Sequence, residues 1–137
     1  MSEKRNLEVK WDDFEVKKTI ESSKSTISLL EKSIENSSER NRISFEKIDK
    51  WEFEVSQKEE EFFQINGITF DEATEYINNS WNPEKDFNLE QYNSIKKIKD
   101  KISGEKFYIY QREKLIYKNG TIIQEIYQRI EELKNSR

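Results

Sequence analysis

Carboxylates supply most of the side chains in this sequence that could perform acid–base or metal chemistry. Asp71 and Glu75 are four residues apart, the spacing that puts two side chains on one side of a helix, and Glu72 lies between them. Such a pair can hold a hard cation or act as a general acid and base. We favour a simpler explanation, because Asp71 and Glu72 also suit the first turn of a helix, where negative charge is stabilising.

Other catalytic signals are weak or missing. Glu-x-Lys tripeptides of the kind found in nuclease sites begin at Glu8 and Glu15, but Lys and Glu are so common here that the matches carry little information. The chain has no His, no Cys and only three Gly, which removes the usual general base, thiolate chemistry and Gly-rich phosphate loops. The sequence therefore predicts a protein that is not an enzyme, with no cofactor and no metal site.

Charge is strongly segregated along the chain. Residues 52–90 carry eleven acidic and two basic side chains, whereas residues 95–120 carry eight basic and three acidic ones. Opposed potentials of this kind steer charged partners. The predicted partner-binding acidic face consists of Glu52, Glu59, Glu60, Glu61, Asp71, Glu72, Glu75 and Asp86.

The basic stretch is interleaved with aromatic residues and supports an alternative. Cations that hold phosphates and rings that stack on bases are the features of a single-strand nucleic-acid surface. The residues for that alternative are Lys96, Lys97, Lys101, Lys106, Tyr108 and Arg112. Trp11, ahead of the first helical pattern, is a possible hydrophobic anchor for a partner, since Trp is enriched at binding hot spots.

The elements that position these side chains are predicted mainly from apolar periodicity. Apolar or small residues recur at steps of three and four from Val16 to Ile34 and again from Ile48 to Phe62, which indicates two amphipathic helices. The cluster Asn36–Ser38 interrupts the pattern, and Ser38 fits an N-cap. We expect an antiparallel helical hairpin within residues 1–63, docked on a smaller part, residues 64–137, of a single domain.

The second half is predicted to contain shorter elements. Asn66-Gly67 predicts a turn. Thr69 and Glu72 have capping-box spacing ahead of a short helix that ends at Asn82-Pro83, and a further helix runs from Leu89 to a stop at Gly104. Residues 106–118 are predicted as a small β-hairpin, with a helical alternative left open. An amphipathic helix over 122–134 completes a mainly α fold with a small β-hairpin.

The composition predicts a core that relies on aromatic rings. Phe, Tyr and Trp make up 17 of the 45 apolar residues, and each ring buries a large area. No apolar run has the roughly 18 residues needed to cross a bilayer, and the first ten residues are too polar for a signal peptide. We therefore expect a cytoplasmic protein with no membrane partner.

These observations lead to a functional hypothesis. We expect a non-catalytic protein-binding protein, an inhibitor that occupies the basic groove of a larger, nucleic-acid-processing enzyme, of the anti-defence or immunity type. The Ile-, Lys-, Asn- and Glu-rich composition with a single Ala is typical of AT-rich phage or bacterial genomes, which suggests a bacterial host cell. The alternatives are a small nucleic-acid-binding protein that uses residues 96–118 and a structural subunit of a larger assembly.

Overall fold

The fold consists of three helices in a computed structural model that describes residues 13–79 and 87–135. Helix α1 spans Asp13–Asn66, α2 spans Phe70–Asn79 and α3 spans Leu89–Asn135. The described residues contain no strand. The mainly α prediction is confirmed, while Trp11, Trp81 and Asp86, together with the predicted stop at Asn82-Pro83, lie outside the described residues.

The predicted break in the first half is wrong. Helix α1 runs without interruption through Asn36–Ser38, so the two predicted helices are one helix of 54 residues, and residues 13–63 do not fold back as a hairpin. The reason is that polar residues keep the periodic spacing where apolar ones stop. Ser37, Asn41 and Ser44 are all buried at steps of four and three, so the helix keeps the same face inward.

Helix α3 overturns two further predictions, because it continues through Gly104 and includes all of residues 106–118. The predicted helix over 122–134 is helical but is part of α3. Thr121 lies inside the helix, and its hydroxyl donates to the Tyr117 carbonyl oxygen. The predicted β-hairpin is therefore wrong. The aromatic and β-branched residues of this stretch point to several sides of a helix, and Gly104 costs only about 1 kcal/mol in a helix that packing holds together.

The described residues group into two compact units. Residues 13–40 with 111–135 form unit 1, and residues 41–79 with 87–110 form unit 2. Each unit contains a stretch of α1 and a stretch of α3, and unit 2 also contains α2. In unit 1 the first stretch of α1 packs with the C-terminal stretch of α3 and not with the residues that follow it in α1.

Unit 1 has a narrow core. Its buried apolar side chains are Val16, Ile20, Ile27 and Ile130, with Ile123, Ile126 and Leu133 packed against them. Unit 1 also has a buried amide, since Asn119 is only 7% exposed and its Nδ2 donates to Ser33 Oγ at 3.1 Å. Two helices alone can bury only the stripe that each turns to the other.

Unit 2 has a wider core because three helices contribute to it. Its ten buried residues are Ile48, Val55, Phe62, Phe70, Ala73, Tyr92, Ile95, Ile98, Ile102 and Ile109. Phe70 of α2 stacks on Tyr92 of α3 with ring centroids 4.6 Å apart, and Phe87 lies against both Phe62 and Tyr92. Thr74 Oγ1 and the Tyr92 hydroxyl are 2.9 Å apart, which gives both polar groups a hydrogen-bond partner.

Local capping ends α1 and starts α2 and α3. Gly67 has φ +75° and its N–H donates to the Phe63 carbonyl oxygen at 2.9 Å, a left-handed C-cap that favours glycine. Thr69 and Glu72 form the predicted capping box, with reciprocal bonds of 3.1 and 3.2 Å. Asn88 caps α3 by accepting from the Gln91 N–H at 3.0 Å. The predicted turn at Asn66-Gly67 and the start of both helices are confirmed.

The expectation of an aromatic core is wrong. Among the described residues, ten aromatic side chains are exposed, and only Phe62, Phe70 and Tyr92 are buried. Most of the core is Ile and Val, which occupy the inward positions of α1 and α3. Composition alone cannot tell which side of a helix a ring occupies, and here most rings lie on the outside.

Candidate protein-binding surface

Three phenylalanines lie outward on one side of α1 within unit 2. Phe45, Phe53 and Phe63 are 49%, 66% and 44% exposed. Asp49, Glu52 and Glu60 fall between them at helical spacing, so carboxylates and rings share one side of the helix. We call these six residues the acidic-aromatic face.

A groove runs beside this face between α1 and α3. It encloses about 420 Å³ and is lined by Glu52, Val55, Ser56, Glu59, Lys99, Ile102, Ser103 and Lys106. The walls differ in charge, since the α1 wall carries two carboxylates and the α3 wall carries two ammonium groups. Small residues, Ser56 and Ser103, keep the middle of the groove open.

Ion pairs cross this groove. Glu52 Oε1 lies 3.6 Å from Lys106 Nζ, and Glu59 Oε2 lies 3.1 Å from Lys99 Nζ. The residues of the acidic and basic sequence segments therefore partly neutralise one another within unit 2. The segregation of charge along the chain is in part a consequence of two antiparallel helices that carry opposite charges on facing edges.

Lys99 connects all three helices of unit 2. Besides Glu59 on α1, its ammonium group lies 4.0 Å from Asp71 Oδ1 and 4.3 Å from the centroid of the Phe70 ring, both on α2. Phe70 and Asp71 also line a second pocket of about 380 Å³, which shares Ser56 and Glu59 with the groove. The groove is thus continuous with the place where α2 packs.

The structure brings together only part of the predicted acidic face. Glu52, Glu59, Glu60 and Asp71 line the groove or the adjoining pocket. Glu61 lies on the other flank of α1, in a pocket lined with Lys58 and Glu90. The remaining predicted residues are Glu72, which is committed to the capping box, Glu75, which is exposed on α2, and Asp86, which lies outside the described residues.

The alternative basic set does not lie on a β-hairpin but along α3. Lys96, Lys97, Lys101 and Tyr108 are exposed, Arg112 is half-buried, and Lys106 pairs with Glu52. Tyr108 is 57% exposed and packs edge-to-face against Phe107 at 6.1 Å. The hydrophobic anchor predicted at Trp11 lies outside the described residues.

Sequence reasoning missed the three phenylalanines as surface residues. The signal was present, because extending the three- and four-residue spacing without a break from Ile34 to Ile48 puts Phe45 and Phe53 off the inward stripe. Because a break was predicted at Asn36–Ser38, the inward stripe before the break was not extended to the residues after it.

Among residues 13–79 and 87–135, no group of three or more Asp and Glu side chains is arranged to hold a metal ion. No helix in the same ranges combines the length and apolar character needed to cross a membrane. The chain matches no protein-family model, no curated protein and no solved structure.

Proposed function

We propose that this protein is a non-catalytic protein-binding protein whose contact surface is the acidic-aromatic face of α1. The observation that carries the proposal is the exposure of Phe45, Phe53 and Phe63 in a chain with few apolar residues. Ten exposed aromatic side chains among the described residues are surface area that the fold leaves unburied. A partner that covers the face would bury three of these side chains.

The energetic argument uses the area of the rings. A phenylalanine presents on the order of 200 Å², so each ring of the face leaves roughly 100 Å² in water. At about 25 cal/mol per Å², burial of each ring in an interface contributes on the order of 2 kcal/mol. Aromatic residues are enriched in protein interfaces for this reason, and a few of them usually dominate the affinity.

The charge of the face selects the partner. Asp49 and Glu60 are exposed beside the rings, and Asp71 on α2 is 91% exposed close by. Complementary charge favours a partner with a basic surface and speeds its association at low salt. The partner in this proposal is a larger enzyme that processes nucleic acid, and the face acts as an inhibitor by occupying its basic groove.

The test compares two matched double variants of the full chain. Phe53→Ala with Glu60→Lys alters the face, whereas Phe14→Ala with Glu21→Lys makes the same changes at exposed positions of α1 in unit 1. Both proteins and the unmodified chain are immobilised and exposed to lysate of the native host. Proteins retained by the unmodified chain are then purified and their Kd values measured at two salt concentrations.

The expected result is a retained protein whose affinity falls at least tenfold with the face variant, about 1.4 kcal/mol, and is unchanged by the control variant. Its association should also slow as salt rises. Equal affinity for the face variant and the control variant would reject the proposal.

Nucleic-acid binding is a second candidate that one observation favours. Phe107, Tyr108 and Tyr110 are each more than half exposed on α3, close in sequence to the exposed Lys101. Rings beside cations suit single-stranded nucleic acid. A gel shift with single-stranded DNA or RNA at low salt, lost on Lys97→Glu with Lys101→Glu, would support this candidate, and no shift at any salt would dismiss it.

A further inference from the structure

Helix α2 shows how one flank of unit 2 is covered. Phe70 and Ala73 are buried against α1 and α3, and Lys99 fixes the start of α2 through Asp71 and the Phe70 ring. At this level unit 2 has three packed helices. The flank that α2 covers is the one that carries the groove, because Ser56 and Glu59 line both the groove and the pocket beside α2.

Beyond the first residue of α2 the same flank is open. The groove runs back along α1 from Glu59 to Glu52, seven residues, which is about 10 Å or two helical turns. Over this length Ser56 and Ser103 are exposed between the two long helices, with Val55 and Ile102 beneath them. No described element covers the groove there.

We infer that this groove receives an amphipathic helix of the partner protein, which lies end to end with α2 and completes a three-helix arrangement along unit 2. The inference rests on the proposed function and names the element through which the partner binds. Continuity with α2 is the first argument, since the flank already accepts a helix whose apolar residues pack between α1 and α3. Small residues along the middle of the groove allow a helix to approach closely.

The rims of the groove provide apolar contacts for such a helix. On the α1 side Phe45 lies seven residues before Glu52, and on the α3 side Phe107 and Tyr110 lie four and seven residues after Ser103. These rings are 49%, 56% and 54% exposed. Helices that bind in grooves use one apolar stripe, and these rings flank the place where that stripe would lie.

The charges of the groove define the sides of the bound helix. The Glu52–Lys106 and Glu59–Lys99 pairs cross the groove, so a helix that enters it replaces both pairs with its own charges. Its flank toward α1 then meets Glu52 and Glu59, so basic residues are complementary there. Its flank toward α3 meets Lys99 and Lys106, so acidic residues are complementary there. The expected partner helix therefore has an apolar stripe with basic residues along one side and acidic residues along the other.

The experiment uses designed peptides and the full chain. The matched peptide is a helix of about 16 residues with a leucine stripe, Lys on one flank and Glu on the other. The control peptide has the same composition, but Lys and Glu alternate on both flanks, so that neither flank carries one sign in either direction of binding. Affinities are measured by fluorescence anisotropy at low salt.

Groove variants locate the binding site. Ser103→Phe and Ser56→Phe each fill the groove from one wall, and Ser94→Phe makes the same change at an exposed position on the other flank of α3. Circular dichroism and the unfolding midpoint confirm that each variant is folded. We expect the matched peptide to bind at least tenfold more tightly than the control peptide, and to lose that advantage with both groove variants but not with Ser94→Phe.

Three outcomes overturn the inference: no binding of the matched peptide, equal binding of both peptides, or binding that survives both groove variants. The protein captured in the test of the proposed function separates the two claims. If that protein is released by the face variant but is held equally by Ser103→Phe and Ser94→Phe, the inference fails and the proposed function stands. If the face variant releases nothing, the proposed function fails.

Discussion

Unit 1 and unit 2 are built on the same two long helices, yet their cores differ in size and chemistry. Unit 1 buries four apolar side chains, all aliphatic, whereas unit 2 buries ten, including Phe62, Phe70 and Tyr92. The difference is α2. Two packed helices each bury one stripe of side chains. A third helix covers a second side of both, and aromatic rings can be buried there.

The difference also explains where binding is expected. In unit 2 the third helix is short and covers part of a flank, so the uncovered part is already shaped to accept a helix. Substitutions matched between the two units test this difference.

Phe62→Ala is expected to be the most damaging substitution. Phe62 is fully buried in the core of unit 2, to which all three helices contribute, so truncation should lower the free energy of unfolding by about 3–5 kcal/mol. Urea denaturation measures the loss. The neighbouring Phe63→Ala is the control, since that ring is 44% exposed and should cost well under half as much. Similar losses for both variants would contradict the assignment of the core.

Ile27→Ala tests the narrow core of unit 1. We expect a loss of about 2 kcal/mol, the low end for such a change, because two helices can close over a cavity more easily than three. Hydrogen exchange of amides in residues 13–40 localises the effect to unit 1. The control is Leu29→Ala, where the side chain is 68% exposed. A loss as large as that of Phe62→Ala would contradict the difference between the two cores.

Thr69→Ala tests how firmly α2 is held at its start. The substitution removes the hydroxyl that accepts from the Glu72 N–H, and we expect a loss of about 1 kcal/mol. The control is Thr26→Ala, because the Thr26 hydroxyl only donates to the Ser22 carbonyl oxygen within α1 and its removal should be neutral or slightly stabilising. Thermal unfolding monitored by circular dichroism distinguishes the two.

Lys99→Ala should have the smallest effect and should depend on salt. Lys99 is about a third exposed, so its ion pair with Glu59 and its contact with Phe70 together contribute roughly 0.5–1 kcal/mol. The loss should shrink when denaturation is repeated at high salt. Lys96→Ala, at an exposed position three residues earlier, is the control and should change little. A loss that salt leaves unchanged would point to packing of the lysine stem instead.

Local signals in the sequence predicted local structure well. The capping box at Thr69, the turn at Gly67 and the start near Leu89 were predictable because each depends on a few adjacent residues. The helix ends predicted at Asn36–Ser38 and Gly104 are wrong because these residues break helices only weakly, and the prediction considered local preference alone. Packing between α1 and α3 overrides them, and that packing joins residues far apart in sequence.

The candidate surface was predictable in part. Glu52, Glu59, Glu60 and Asp71 were named from the charge pattern, and the structure gathers them around adjoining pockets. The pairing of Glu52, Glu59 and Asp71 with Lys106 and Lys99 was not predictable, because residues 1–63 were expected to form a hairpin of two helices packed on each other. When the wrong two helices are predicted to pack together, no contact between α1 and α3 can be predicted, and neither can the groove between them.

The hydrogen bond between Asn119 and Ser33 has a consequence for how the long helices align. Apolar residues repeated every seven positions look alike after a slide of one repeat, so aliphatic contacts alone do not choose a single alignment. A buried amide that finds its acceptor in only one alignment does choose. Asn119 thus fixes the register between α1 and α3 in unit 1. Replacing it with leucine should raise the unfolding temperature but allow more than one register.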